Sequence, residues 1–314
     1  MRALLEHLKG RDFVRIGAWE RADLEATLDL ANELKELQSR REPHELLPGR
    51  ALGMIFQKPS TRTRVSFEVG IAQLGGYALY LAAQDLQLGR GETIKDTATV
   101  LSRYLDAIMI RTFEQDDVEE LAEHAAVPVL NGLTDAAHPC QALADLMTIR
   151  ERLGPLEGVR LAYLGDGNNV CASLMAGAAI FGMQFVAATP PGYEPVAEAV
   201  ETARAAADGS GGSVELVADP AEAARGADVL YTDVWTSMGQ DAEREQRLRD
   251  LAGFGIDAET VALAGREAIV LHCLPAHYGE EITEEVLYGP QSAVWDQAEN
   301  RLHAQKALMA LVIG

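Results

Sequence analysis

Cysteine is scarce in this chain: 314 residues contain three, Cys140, Cys171 and Cys273, far apart and with no CxxC pair. That excludes a disulfide framework and a cysteine-based zinc cluster, and it suits a reducing cytoplasm. No uninterrupted apolar run reaches about 18 residues, the length of a membrane-spanning helix. The first fifteen residues mix Arg, Glu, Lys and Asp with leucines, so neither a membrane span nor a signal peptide is expected. Positive charge is the third deficit. There are 27 basic against 48 acidic residues, a formal net charge of -21, and only five of the basic residues are lysines: Lys9, Lys35, Lys58, Lys95 and Lys306. Such a surface repels nucleic acid and anionic membranes, and neither is an expected partner. It fits adaptation to high salt, where self-repulsion is screened, and equally an acidic protein from a GC-rich genome. An anionic substrate would have to be drawn by local basic groups against the global field.

What is present begins with Ser60, Thr61, Arg62, Thr63 and Arg64, directly after the apolar stretch 51–56 and ahead of the helix-patterned stretch 65–74. The run reads as a phosphate cradle. A strand ends, small hydroxyl residues cap a helix, and the exposed N–H groups of the first turn, with the helix dipole, offer donors to an anion. Arg62 adds a two-pronged charged clamp. Residues two apart in a helix point about 200° away from each other. Arg62 is therefore assigned to the anion and Arg64 to an ion pair with Glu68 at i+4. Taken alone, the run also fits an ordinary capped helix with exposed arginines.

With 48% hydrophobic residues, the chain can build two α/β domains of about 150 residues or one large one. Residues 20–39 carry Leu and Ala at helical spacing, and a Pro/Gly-punctuated loop follows at 43–49. Next come strand 77–81, loop 84–92, helix 93–104 and strand 107–111. After His138 a long helix runs to about 152, and Gly154-Pro155 breaks the pattern near a domain boundary. Strands restart at 159–164, 184–188, 213–217, 229–232 and 268–273. This alternation predicts parallel sheets flanked by helices, with ligands at the carboxyl ends of the strands. Residues 292–313 are expected to be helical. The Ala-rich stretch 203–212 looks weakly ordered, and no internal repeat is present.

The segments IFQKPSTRTRVSFE, IRTF (110–113), HPCQ (138–141), GDGNNV (165–170), DVWTSMG (233–239) and HCLP (272–275) occur in that order. Together they resemble the ornithine carbamoyltransferases over roughly residues 5–312. STRTR and HPxQ are shared with the wider carbamoyltransferase family, while SMG and HCLP narrow the acceptor to an ornithine-like amine. The resemblance implies two α/β domains, each a central parallel sheet flanked by helices. Residues 1–150 would bind carbamoyl phosphate and 151–291 ornithine, with helix 292–314 returning to the first domain. It implies transfer of the carbamoyl group from carbamoyl phosphate to the δ-amine of L-ornithine, giving L-citrulline and phosphate, within arginine metabolism and with no metal or organic cofactor. It also implies a cytoplasmic homotrimer or a multiple of trimers.

Such a transfer needs a phosphate anchor, donors for a developing oxyanion and a positioner for the amine. By resemblance, Ser60, Thr61, Arg62 and Thr63 hold the phosphate. Arg111 bridges the phosphate and the carbamoyl oxygen, His138 donates to that oxygen, and Gln141 and the Leu274 carbonyl meet the carbamoyl nitrogen. His138 and Gln141, three apart on one helix, share a face. Arg301 is a further carbamoyl phosphate ligand. Asn169, Asp233, Ser237 and Met238 hold ornithine, and Cys273 contacts its side chain and orients or helps deprotonate the δ-amine. Asn168 is read as structural. Gln87, in loop 84–92, matches a polar residue that the family lends to the neighbouring subunit. Where some relatives carry a lysine before the glutamate, this chain has Gly91 before Glu92, with Arg90 next to it.

Alternative readings remain at this stage. GDGNNV resembles a dinucleotide-binding glycine loop, but Val170 stands where the third glycine belongs, and the next strand ends at 187–190 without an acid for a ribose. A covalent nucleophile role for Cys273, activated by His272, is disfavoured because adjacent strand residues face opposite sides. Another acceptor, such as putrescine or an acylated ornithine, keeps the same chemistry. A non-catalytic binding protein on this scaffold is the remaining rival.

Overall fold

The computed structural model describes residues 6–87 and 91–314. The chain divides into two units, one of residues 1–144 and 300–314, the other of 145–299. The cuts fall inside two long helices, so each helix contributes to both units.

In the first unit, helix α1 (Arg21–Ser39) buries Leu24, Leu28, Ala31 and Leu34, the i, i+3, i+4 stripe that its sequence predicts. Strands β1 (Ala51–Phe56), β2 (Tyr77–Ala82), β3 (Ala107–Arg111) and β4 (Val129–Leu133) form a parallel sheet in the order β2-β1-β3-β4. Every residue of β1 is buried, as in a strand covered on both faces. Helices α2 (Thr61–Gln73), α3 (Ile94–Leu101) and α4 (Gln115–His124) complete the layers. A core of Ile55, Ala98, Ile108, Ile110, Val118 and Leu121 sits beneath α3 and α4.

Helix α3 stops at Leu101, short of the expected residue 104: beyond the Ser102 cap the Arg103 and Tyr104 N–H groups bond three residues back, to Val100 and Leu101, and the Ser102 hydroxyl accepts from the Ala126 N–H at 2.9 Å. Strand β4 carries no apolar alternation in VLNGL. Its buried Asn131 is tolerated because the side-chain amide donates to the Val14 carbonyl at 2.9 Å. Helix α5 (Pro139–Leu153) leads into the second unit.

There, β5 (Arg160–Leu164), β6 (Gln184–Ala188), β7 (Ser213–Val217), β8 (Val229–Thr232) and β9 (Ile269–His272) form a parallel sheet in the order β7-β6-β5-β8-β9. Helices α6 (Asn169–Ile180), α7 (Ala197–Ser210), α8 (Pro220–Ala224), α9 (Arg244–Asp250), α10 (Ala258–Leu263) and α11 (Glu284–Leu287) surround it, and α12 (Val294–Ile313) returns to the first unit. The stretch 203–212, expected to be weakly ordered, is instead largely α7. Val200, Ala203 and Ala207 are buried at helical spacing, and Gly211, at φ +83°, ends the helix in the left-handed region. Alanine is both a strong helix former and small enough for close helix packing, and composition alone obscured this.

Both sheets reverse their strand order once, between β1 and β3 in the first and between β5 and β8 in the second. Such switch points open a crevice at the carboxyl ends of the strands. The polar clusters singled out in the sequence follow β1, β3, β5, β8 and β9.

Candidate active site

The first unit gathers its residues around the switch point. Ser60 caps α2 by accepting from the Thr63 N–H at 3.2 Å, as the cradle reading requires. Thr61 is exposed, Arg62 half-buried and Thr63 buried. Arg64 turns away to pair with Glu68 at 3.0 Å and lies over the Tyr80 ring. The two arginines therefore part as the helical geometry demands.

Arg111 ends β3 and is buried, and His138 stands immediately before α5, also buried. Gln141 accepts from Arg301 at 2.8 Å, and Arg301 also donates to the Thr63 hydroxyl at 2.9 Å. One guanidinium thus ties α12 to both the cradle helix and the HPCQ helix. Burial, reinforced by the positive charges of Arg301, Arg111 and Arg62, drives His138 well below the ordinary histidine range. The imidazole is therefore neutral near pH 7, with one N–H to donate and one nitrogen to accept. Gln87 is exposed. Arg90 lies outside the described residues.

In the second unit, Asn168 caps α6, its side-chain oxygen accepting from Val170 N at 2.9 Å and Cys171 N at 3.2 Å, while its amide donates to Asp233 Oδ2 at 2.8 Å. Asn169 is half-buried in the first turn. Asp233, just past β8, is buried, and Cys273 Sγ donates to its Oδ1 at 2.7 Å. Carboxylate, amide and thiol thus meet in one cluster. Gly165 adopts φ +126°, and a Cβ on Gly167 would lie 2.3 Å from the Pro195 nitrogen. The two glycines answer a turn and a close backbone approach and require no dinucleotide.

Ser237 is half-buried and Met238 exposed, in a short turn closed by Gln240, whose side chain accepts from the Ser237 N–H at 2.9 Å. Past β9, Leu274 takes φ +59°, a conformation costly for a branched side chain, and its N–H donates to His272 Nδ1 at 2.8 Å. Because Nδ1 accepts, the proton sits on Nε2, which donates to Glu281 at 3.1 Å. Both His272 nitrogens are engaged away from the thiol.

Three residues that the sequence reading passed over support these clusters. Lys58 is buried beside the cradle, paired with Asp135 and lying 4.2 Å from the Phe113 ring centre. Its position directly ahead of the hydroxyl run, in a chain with few lysines, was the available signal. Arg247 is buried on α9, donating to the Trp235 carbonyl at 2.6 Å and pairing with Asp166. Its setting in the charged run DAEREQRLRD disguised it as a solvated helix residue. Burial pushes the Asp166 carboxyl up to about 6, against the pull of Arg247. Glu281 is the third.

Among the described residues, potential metal-ligand atoms gather within 4.8 Å in two groups, Asp233/His272/Cys273 and His277/Glu280/Glu281. In the first, the histidine nitrogens and the thiol already serve the bonds above.

A capped, arginine-flanked helix start at one switch point and an amide–carboxylate–thiol cluster at another suit a two-domain group-transfer enzyme. The chain belongs to the aspartate/ornithine carbamoyltransferase family: the carbamoyl-P binding domain matches residues 11–151 and the Asp/Orn binding domain residues 157–312. It is 58% identical to the ornithine carbamoyltransferase of Symbiobacterium thermophilum over 98% of this chain and 99% of that one. The solved ornithine carbamoyltransferase of Pyrococcus furiosus shares 55% identity at a TM-score of 0.95, with 98% of each chain covered. That of Gloeobacter violaceus shares 47% identity at 0.87, covering 98% of this chain and 99% of that one.

Proposed function

We propose that this protein transfers the carbamoyl group of carbamoyl phosphate to the δ-amine of L-ornithine, producing L-citrulline and phosphate. The observation that carries this reading is the convergence of Arg62, Arg111 and Arg301 on a buried, neutral His138. In a chain of net charge -21, three guanidiniums around one imidazole are a built anion site.

Residues 11–151, with Arg301 of α12, hold carbamoyl phosphate. Ser60, Thr61, Arg62 and Thr63 grip the phosphate, Arg111 spans phosphate and carbonyl oxygen, and Arg301 adds charge. His138 donates its single N–H to the carbonyl oxygen as negative charge develops there, a role that a neutral imidazole performs without surrendering its proton. Gln141 and the Leu274 carbonyl orient the carbamoyl nitrogen.

The second unit holds ornithine. Asn169, Ser237 and Met238 take the α-amino and carboxylate groups, and Asp233 anchors the ammonium. Cys273, hydrogen-bonded to Asp233, contacts the side chain near the δ-nitrogen. That nitrogen attacks the carbonyl carbon after losing a proton, a C–N bond forms, and the C–O bond to phosphate breaks. No covalent enzyme intermediate is required.

Acceptor selectivity tests the reading. Offered ornithine, putrescine, lysine and acetylornithine in parallel, the protein is expected to form a carbamoylated product from ornithine by a wide margin: putrescine lacks the α-carboxylate that Asn169 and the 237–239 turn hold, acetylornithine lacks the free α-amine, and lysine carries its terminal amine one methylene too far. Comparable turnover of putrescine would overturn the choice of acceptor. The rate is also expected to climb from pH 6 to 9, since an amine of reference pKa near 10 is mostly protonated at neutral pH. His138, already neutral, adds no ionisation of its own in that range.

The protein is further proposed to work as a cytoplasmic homotrimer, with Gln87 reaching a neighbouring subunit. Support comes from the edge of the first sheet, where Tyr77, Leu79 and Tyr80 of strand β2 are exposed. An apolar edge of this kind calls for a partner surface.

A further inference from the structure

The turn after β9 carries a cluster that the transfer chemistry does not use. Glu281 is fully buried, and its two oxygens have different fates. Oε1 accepts from His272 Nε2 at 3.1 Å and from the His277 N–H at 2.6 Å. Oε2 is equally buried and has no hydrogen-bond partner, and the same is true of His277 Nδ1, 3.7 Å away. A buried carboxylate oxygen left bare costs energy comparable to a lost charged hydrogen bond, and such an atom calls for an explanation.

The third member is Glu280, which offers a carboxylate oxygen within 4.8 Å of a ligand atom of each of the other two residues and pairs with Arg244, one contact being 3.1 Å. Gly279, at φ +84°, bends the chain so that residues 277, 280 and 281 converge. The His277 side chain is 42% exposed, which leaves an approach from solvent.

We propose that His277 Nδ1, Glu281 Oε2 and a Glu280 oxygen form a site for a divalent transition ion of the Zn²⁺ or Co²⁺ type, distinct from the Asp233/Cys273 cluster. One imidazole and two carboxylates match the borderline donor set that such ions favour, and calcium or magnesium would demand more oxygens. Ligand atoms about 2.0–2.2 Å from a tetrahedral ion lie about 3.4 Å apart, close to the observed 3.7 Å. Water completes the coordination. The ion and Arg244 then compete for Glu280. Arg244 opens α9, a few residues beyond the 237–239 turn, so occupancy at this site would bear on that turn's anchorage. The assignment stands independently of the proposed reaction.

The test titrates Co²⁺ into the full chain carrying Cys273→Ser, which removes the partly accessible thiol, with visible absorption and calorimetry as readouts. One ion per chain with a ligand-field band is expected. Adding His277→Ala or Glu280→Gln is expected to weaken binding by on the order of a hundredfold, and adding Arg244→Gln to strengthen it by about tenfold by freeing Glu280. Absence of stoichiometric binding, or binding that His277→Ala leaves unchanged, would overturn the proposal. So would weaker binding in the Arg244→Gln variant.

Discussion

Arg62 and Arg301 bring positive charge to His138 by different routes, one from the first turn of α2 and the other across the sequence from α12. Arg301 is secured by Thr63 and Gln141, whereas Arg62 is half-buried and, in the proposed reaction, grips the departing phosphate. Arg62→Ala is expected to raise the carbamoyl phosphate requirement and add about 2–4 kcal/mol to the barrier. Steady-state kinetics in carbamoyl phosphate check this, and near-normal values would remove the assignment. The three cysteines also separate at this scale. Burial pushes Cys140 up to about 12 and Cys171 well above the ordinary thiol range, which makes both inert, while Cys273 remains partly accessible beside Asp233. Much of this was legible in the sequence. The Arg64–Glu68 pair follows from i+4 spacing, and the cap at Ser60 from residue type. Lys58, Arg247 and Glu281 were not legible, because their meaning depends on Asp135, on Asp166 and Trp235, and on a buried His272 that no local pattern connects to them.

Helix α9 holds the 233–239 segment in place through one side chain. Arg247 binds the Trp235 carbonyl and Asp166, and its guanidinium lies 4.9 Å from the Tyr193 ring centre. Arg247→Met would leave Asp166 buried without its countercharge, at a cost of about 3 kcal/mol in stability. A KM for ornithine that rises more than kcat falls is expected as Trp235 and the following turn lose their tether. Denaturant titration and kinetics measure the two effects, and a folded variant with an unchanged ornithine KM would contradict the positioning role. Helix α12 offers a second case. Lys306 is fully buried, and its ammonium donates to Gln38 and Gln73 at 2.9 Å and lies 3.1 Å from His44 Nε2. Burial lowers its pKa from 10.5 to about 8. The folded state therefore binds this proton less tightly than the unfolded chain, and the group's contribution to stability grows as pH rises from about 8 toward 10.5. Relative to Lys306→Met, the wild type is expected to gain about 1–3 kcal/mol between pH 8 and 10. A flat difference in urea unfolding across that range would refute it. The strands β1, β3, β6 and β8 were readable as largely apolar runs bounded by turn residues, and β7 from its alternating SVELV. Strand β4 and helix α7 were not, the first because Asn131 and Gly132 break its pattern, the second because its alanines resemble low complexity.

For the whole molecule, the exposed apolar side chains of edge strand β2 are the feature with the largest consequence. Leu79, 44% exposed on an edge strand, is expected to be covered in a trimer. Light scattering is expected to give three chain masses for the wild type and a lower mass, with lost activity, for Leu79→Asp. A Leu79→Asp protein that stays trimeric would refute this placement of the interface. The sequence by itself determined the alternation of strands and helices, the caps, the order of the motifs and hence the family, because each of these rests on residues within a few positions of one another. Tertiary structure alone decided that Arg62, Arg111 and Arg301 act on one imidazole, that Asn168 and Cys273 share Asp233, and that Glu281 keeps one oxygen bare. Those outcomes join residues tens to hundreds of positions apart, and sheet order and burial, which no local spacing encodes, set which of them meet.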